Sequence, residues 1–372
     1  MNRRHFLAAG AAAAAAHGRW PRWSVAATHA NPSRLRRGVN ICGAEAGVRQ
    51  TFSNANPGRA EIDYTYNSEQ TIAYFADQGL TLFRIPFRWE RIQPRLGEEL
   101  HQAELRRLQQ FVGWARKHGC RVILDVQNFA RYTLEIAGKP RDCLIDALVD
   151  GRVRVTREHF ADLWSQLSEA FVDEPAIEAY GLMNEPHDMG SSDWKAISQR
   201  AVDAIRARGD RQWIFVPGDG WSNSNYFRDI NGPQAWVRDP LGRVAYEAHC
   251  YFDYNYSGAY RLSYEEEFKR DPELEQRGGK RLQQFIEWLR ANEVRGFLGE
   301  FGVPSDSRWL RIMEDCLHTL DAAGIEGCYW AAGEWLGLYP LSIQPDAAQL
   351  RKDGIDGDRR PQLDSMLAGR EA

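Results

Sequence analysis

The run Glu104–Val126, ELRRLQQFVGWARKHGCRVILDV, contains the plan of the whole chain in miniature. Apolar residues at Leu105, Leu108, Phe111, Val112 and Ala115 recur at a helical period, Gly119 ends the pattern, and a β-rich run starts at Cys120. A helix passing directly into a short, continuously apolar strand is the building unit of parallel sheets. The unit recurs in both directions. Upstream, SEQTIAYFADQG, opening on Ser68, leads into a strand at Leu80–Pro86, and Arg37–Ile41 supplies an earlier one. Downstream, TREHFADLWSQLSEAF precedes Ile177–Met183 and DWKAISQRAVDAIRARG precedes Gln212–Gly218. Val244–Cys250 follows; KRLQQFIEWLRAN then leads to Val294–Glu300 and SRWLRIMEDCLHTLDAAG to Ile325–Trp330. With Cys120–Val126 these make eight strands alternating with helices, the pattern of an α/β protein closed into a (β/α)₈ TIM barrel. An open doubly wound sheet is disfavoured, since no G-x-G-x-x-G follows the first strand and no phosphate-loop motif occurs.

The first thirty residues read differently. MNRRHFLAAGAAAAAA places Arg3-Arg4 before a short apolar run, the layout of a twin-arginine export signal, with a small-x-small cleavage site at Thr28-His29-Ala30 and rivals nearby. Residues 1–30 are therefore expected to be removed, leaving 31–372 as one catalytic domain, periplasmic or secreted. The segment carries Arg3, Arg4, Arg19 and Arg22 and no acid, so its loss takes the formal charge from −4 to −8. An acidic chain without a basic run is a poor partner for nucleic acid, and no later stretch is apolar enough for membrane insertion. A monomer is the expected form. The six cysteines include no C-x-x-C pair, which argues against zinc ribbons; buried free thiols are expected in preference to one or two disulfides. Thirteen Trp and fourteen Tyr suit either a large core or a cleft that stacks on sugar rings.

In such barrels chemistry gathers at the C-terminal ends of the strands. The second strand ends near Arg84, the third at Asp125-Val126-Gln127-Asn128, and the fourth at Asn184-Glu185-Pro186-His187. The sixth ends at His249-Cys250-Tyr251, the seventh at Glu300 and the eighth at Trp330. Glu185 and Glu300 close strands three apart around an eight-strand ring, so they face each other across its mouth. Retaining glycoside hydrolysis needs two carboxyl groups about 5–5.5 Å apart, one to protonate the leaving oxygen and one to attack the anomeric carbon. The long connection from Asn128 to Arg154 is expected to cap this mouth. Glu45, Trp221 and Trp335, in the loops after strands one, five and eight, are candidates for contacts to outer sugars.

The runs FRIPFRWERIQP, YGLMNEPHDM, YEAHCYFDYNYSG, GFLGEFG and YWAAGEWLGLYPLSI resemble glycoside hydrolase family 5, the cellulase family, and most closely its bacterial and fungal endo-β-1,4-glucanases. The resemblance runs from RGVNICGAE to about Ile343. It implies Glu185 as acid/base and Glu300 as nucleophile. It further implies that Asn184 bonds the sugar 2-hydroxyl, that Arg84 keeps Glu300 ionised, and that Tyr251 points at Glu300. His249 would tune Glu185, and Trp330 would floor the −1 subsite. No cofactor and no metal are implied. The family's D-x-H-N-Y pattern departs here to DVQNFARY, with Gln127 where the family has His, while Asn128 keeps the pattern. An amide hydrogen-bonds but does not titrate. Gln127 is thus either a tolerated exchange or the mark of another β-linked polymer: mannan, xyloglucan, mixed-linkage glucan or exopolysaccharide. A non-catalytic sugar-binding protein on the same fold would be expected to lack one of the two glutamates. A barrel metallohydrolase would need clustered His and Asp at strand ends, and H-E-x-x-H is absent.

Overall fold

The computed structural model describes residues 35–47, 51–345 and 359–368. The expected export signal, residues 1–30, and its expected cleavage site lie outside them. Among the described residues, twelve strands form in chain order: β1 Arg37–Ile41, β2 Leu82–Phe87, β3 Arg121–Val126, β4 Arg131–Ile136, β5 Lys139–Leu144, β6 Leu148–Val149, β7 Arg152–Val153, β8 Ile177–Gly181, β9 Trp213–Pro217, β10 Val244–Cys250, β11 Arg295–Phe301 and β12 Glu326–Ala332. Eight of them close into a parallel barrel in the order β1-β12-β11-β10-β9-β8-β3-β2. These are the eight strands expected from the sequence, each displaced by at most two residues at either end.

The helices between them start and stop where local chemistry says they should. Thr156 caps Arg157–Phe171 in a capping box with His159, and Asp193 caps Trp194–Ala207 by accepting from the Ala196 amide. Gly79 and Gly119 end their helices with positive φ, 86° and 69°. Ser68 behaves otherwise. It stands at the N-cap of Glu69–Asp77 without capping it, and its hydroxyl donates to Glu334 beyond β12.

Inside the barrel, side chains alternate inward along each strand, and this places the site. Leu82, Ile123, Ala179, Phe215, Ala245, Phe297 and Cys328 form one apolar plug, each from a different strand. The eighth strand contributes Gly38, where a β-carbon would collide with Leu82 and Cys328. Two residues further along the same inward faces stand Arg84, Asp125, Glu247 and Trp330. The apolar plug thus floors a polar chamber.

The connection after β3 is more structured than a plain loop. It forms two antiparallel hairpins, β4–β5 and β6–β7. Their tips, Ala137-Gly138 and Asp150-Gly151, have positive φ at both residues, the geometry of tight two-residue hairpin turns. All six cysteines are buried free thiols.

Candidate active site

Glu300, on β11, is almost wholly buried. Its Oε1 accepts from Arg84 Nη1 at 3.2 Å and its Oε2 from the Tyr251 hydroxyl at 2.7 Å. Glu185 lies just past β8 with φ 45°, a left-handed backbone that non-glycine residues hold only where surrounding structure imposes it. Its side chain is more open, 15% exposed against 4% for Glu300. Its Oε1 lies 2.7 Å from His249 Nδ1. One oxygen of Glu185, one of Glu300 and a His249 ring nitrogen all fall within 4.8 Å of one another. Inverting chemistry needs carboxyl groups about 6.5–9.5 Å apart to seat a water between them; this pair is too close for that.

Beneath the pair, Arg84 is fully buried and serves several acceptors at once. Nη1 donates to Asn40 at 2.8 Å and Nη2 to Asn184 Oδ1 at 2.9 Å. Nη2 also lies 3.0 Å from Glu247 and 2.8 Å from Asp125. Burial opposes the Arg84 charge, but Asp125, Glu247 and Glu300 outweigh it and hold the guanidinium firmly protonated. Burial raises the Glu300 carboxyl above the ordinary glutamate value, and Glu185 adds to this. His249, Arg84 and Tyr251 pull it back without cancelling the rise. Arg84 therefore moderates the nucleophile candidate's pKa and does not depress it outright. Arg84→Met would take away the buried cation that Asp125, Glu247 and Glu300 share. The expected loss of stability is about 3–5 kcal/mol, the scale for breaking a buried ion network. A guanidinium unfolding midpoint equal to that of the wild type would refute it.

The remaining expected residues divide by what they touch. Asn184 accepts from Arg84 through Oδ1, while its buried Nδ2 has no protein partner and is free to donate. Gln127 is 6% exposed and its Oε1 is likewise buried without a partner. Asn128 is put to a different use. Its amide accepts from the Trp89 backbone at 2.9 Å and donates to both Glu90 oxygens, at 3.0 and 2.8 Å, so both ends tie the β2 and β3 loops together. Trp330 is partly exposed and hydrogen-bonded to Tyr339. Trp221 is 48% exposed and stacks on His187 at 3.5 Å with planes 7° apart, two residues past Glu185. Trp335 is exposed beyond β12. Glu45 lines a cleft of about 380 Å³ with Phe52, Arg88, Thr133 and Asp142, beside the β4–β5 hairpin. Asn40, Asp125 and Glu247 were not foreseen as site residues. Strand alternation could have found Glu247, which shares an inward face with His249.

The model of the Cellulase (glycosyl hydrolase family 5) family matches residues 43–334. The chain belongs to this family. As a family 5 glycosyl hydrolase it is 30% identical over 314 residues to Endoglucanase 1 of Robillarda sp. (strain Y-20), covering 81% of this chain and 78% of that one. Among solved structures it is similar to Pseudomonas stutzeri endoglucanase Cel5A in complex with cellobiose: 34% identity, TM-score 0.75, 89% of this chain and 91% of that one. It is also similar to the endo-β-1,4-glucanase Xac0029 from Xanthomonas axonopodis pv. citri, at 34% identity and TM-score 0.75, with 91% and 98% covered. No described helix of this glycosyl hydrolase is long and apolar enough to cross a membrane.

Proposed function

We propose that this chain is an endo-β-1,4-glucanase that cleaves its polymer with retention of anomeric configuration. The observation that carries the reading is the close approach of Glu185 and Glu300, within 4.8 Å, in a family 5 barrel. Similarity to a Cel5A endoglucanase crystallised with cellobiose supports a β-1,4-glucan as substrate.

Glu300 attacks the anomeric carbon as a carboxylate while Glu185 gives its proton to the glycosidic oxygen. The C–O bond to the leaving sugar breaks and an ester to Glu300 forms. Water then enters, Glu185 takes its proton, and hydroxide displaces Glu300 from the opposite face, which restores the original configuration. Two features favour these roles. Glu300 has donors on both oxygens, Arg84 and Tyr251, which fix its attack line. Glu185 is the more open of the two and lies next to the Trp221–His187 stack, a platform suited to the departing sugar. The unpartnered Asn184 Nδ2 is placed to bond the 2-hydroxyl of the attacked sugar, a contact that strengthens in the transition state. The twin-arginine-type leader supports export of the mature enzyme to the periplasm or beyond.

Gln127 favours a second reading, the same mechanism on another β-linked glycan, because its free Oε1 asks the −1 sugar for a hydroxyl donor and offers no titratable ring. A panel of soluble glucans, mannans and xyloglucans, with product lengths resolved, separates the two. The expected result is rapid mid-chain cleavage of carboxymethylcellulose and mixed-linkage glucan. Preference for mannan by tenfold or more would overturn the assignment. NMR of the first product formed should show the β anomer before mutarotation; an initial α anomer would rule out double displacement.

A further inference from the structure

We propose that Glu247 is a positioning residue: it holds His249 as an imidazolium whose Nδ1–H is directed at Glu185, and so determines which oxygen of Glu185 carries the catalytic proton. The proposal rests on the reading of Glu185 as acid/base.

Glu247 is fully buried on β10, two residues before His249 and on the same inward face. Its Oε1 lies 3.1 Å from His249 Nε2 and 3.0 Å from Arg84 Nη2. On the other side of the ring, Nδ1 lies 2.7 Å from Glu185 Oε1 and 3.6 Å from Glu300 Oε2. Both ring nitrogens thus face carboxylate oxygens. An ionised carboxylate only accepts, and a neutral imidazole has one N–H, so the two contacts hold together around an ionised Glu185 only if the ring carries two protons. A doubly protonated ring keeps donating to Glu185 Oε1 through both halves of the reaction. The acid's own proton must then ride on Oε2, the oxygen turned from the ring. A neutral ring could instead accept that proton at Nδ1 and hold it away from the glycosidic oxygen.

The surroundings of the ring fit this role. Facing it are Glu185 from the β8 loop, Glu247 on β10 and Glu300 on β11. Arg84 on β2 reaches it through Glu247, Tyr251 satisfies the far oxygen of Glu300, and Asp125 on β3 lies across Arg84. Burial disfavours charge on the ring, yet Glu300, Glu185 and Glu247 outweigh it and push His249 up to about 10. Burial also opposes the Glu247 charge, but Arg84 and His249 hold that carboxyl below its ordinary value. The fold reserves the space: at Gly299 a β-carbon would collide with the Glu247 carboxylate and lie 2.8 Å from His249 Nε2. Glycine is the residue that leaves this carboxylate room.

The decisive measurement is made on the wild-type enzyme. Proton–nitrogen NMR of the histidine rings in the wild-type enzyme, with His249 assigned by the signal lost in His249→Gln, should show both nitrogens protonated at neutral pH. A neutral ring there overturns the proposal. In Glu247→Gln the ring should titrate at least one unit lower, kcat should fall about 10–100-fold with KM little changed, and the alkaline limb of the rate profile should move to lower pH. Glu247→Asp, which keeps the charge, should return the limb toward its wild-type position. A Glu247→Gln enzyme with the wild-type profile and an unchanged ring sinks the idea, and if that variant does not fold the wild-type spectrum still decides. The ring titrations do not depend on activity, so failure of the acid/base assignment would be seen separately, in Glu185→Ala.

Discussion

Glu300→Ala should lower kcat on soluble β-glucan by on the order of 10⁵-fold or more, the scale seen when a covalent nucleophile is lost from a catalytic unit. The size follows from what remains. Glu185 can still protonate the leaving oxygen, but nothing attacks the anomeric carbon from below, and a water entering the vacated space finds no carboxylate there to take its proton. The fold should survive. Arg84 keeps Asp125 and Glu247 as counter-charges, Tyr251 loses one acceptor, and the mouth of the barrel admits solvent to the gap. A thermal midpoint within a few degrees of the wild type is therefore expected alongside the loss of rate. Azide, small and anionic, fits the space left by the carboxylate. With an activated aryl cellobioside it should restore turnover and give a glycosyl azide of inverted configuration. Activity within tenfold of the wild type without azide would remove Glu300 from the nucleophile's role.

The acid limb of the wild-type profile tests the same residue from another side. Burial and Glu185 raise the Glu300 carboxyl above its ordinary value. Its ionised, attacking form is therefore lost as pH falls through a point higher than a free glutamate would show. A limb at or below the free-glutamate value would mean that Arg84, His249 and Tyr251 prevail over burial.

Much of this was legible before any coordinates. Helix-to-strand units are local, and counting them places Glu185 and Glu300 on strands three apart, which ring closure turns into a facing pair. What escaped was set by depth and by long-range partnership. Glu247 lies below the rim, one step above the apolar plug, in the interior of VAYEAHC, away from the strand ends, while Asp125 stood at a strand end with nothing in the sequence to join it to Arg84. Period-two alternation does put Glu247 on the face of His249, so this signal was present in the sequence. Asn128 shows the converse. Its position is at the rim, but Glu90, thirty-eight residues earlier, takes up its amide, and no pattern in the sequence announces that bond. The hairpins after β3 were hidden by their polarity. β5 is largely exposed, so no apolar run marks it, although Ala137-Gly138 and Asp150-Gly151 were readable as tight turns.

Glu185→Ala should behave differently from the nucleophile variant, and the difference separates the two glutamates. General acid catalysis is worth about 10²–10⁴-fold, and its loss matters only where the leaving group needs a proton. On carboxymethylcellulose, whose sugar leaving group is a poor one, the variant should fall by that factor. On dinitrophenyl β-cellobioside, whose phenolate leaves unaided, the first step should proceed at nearly the wild-type rate. The ester to Glu300 should then accumulate, because no base remains to activate water, and a burst of phenolate followed by a slow steady state should be seen. Azide needs no base. It should speed the second step by attacking the ester from the open side, giving a glycosyl azide of retained configuration, the opposite of the Glu300→Ala product. The exposure of the two side chains fits this pairing, since the face of Glu185 is the one open to incoming water. Equal losses on both substrates, with no burst, would count against Glu185 as the acid/base. An inverted azide from this variant would show that the two assignments are exchanged.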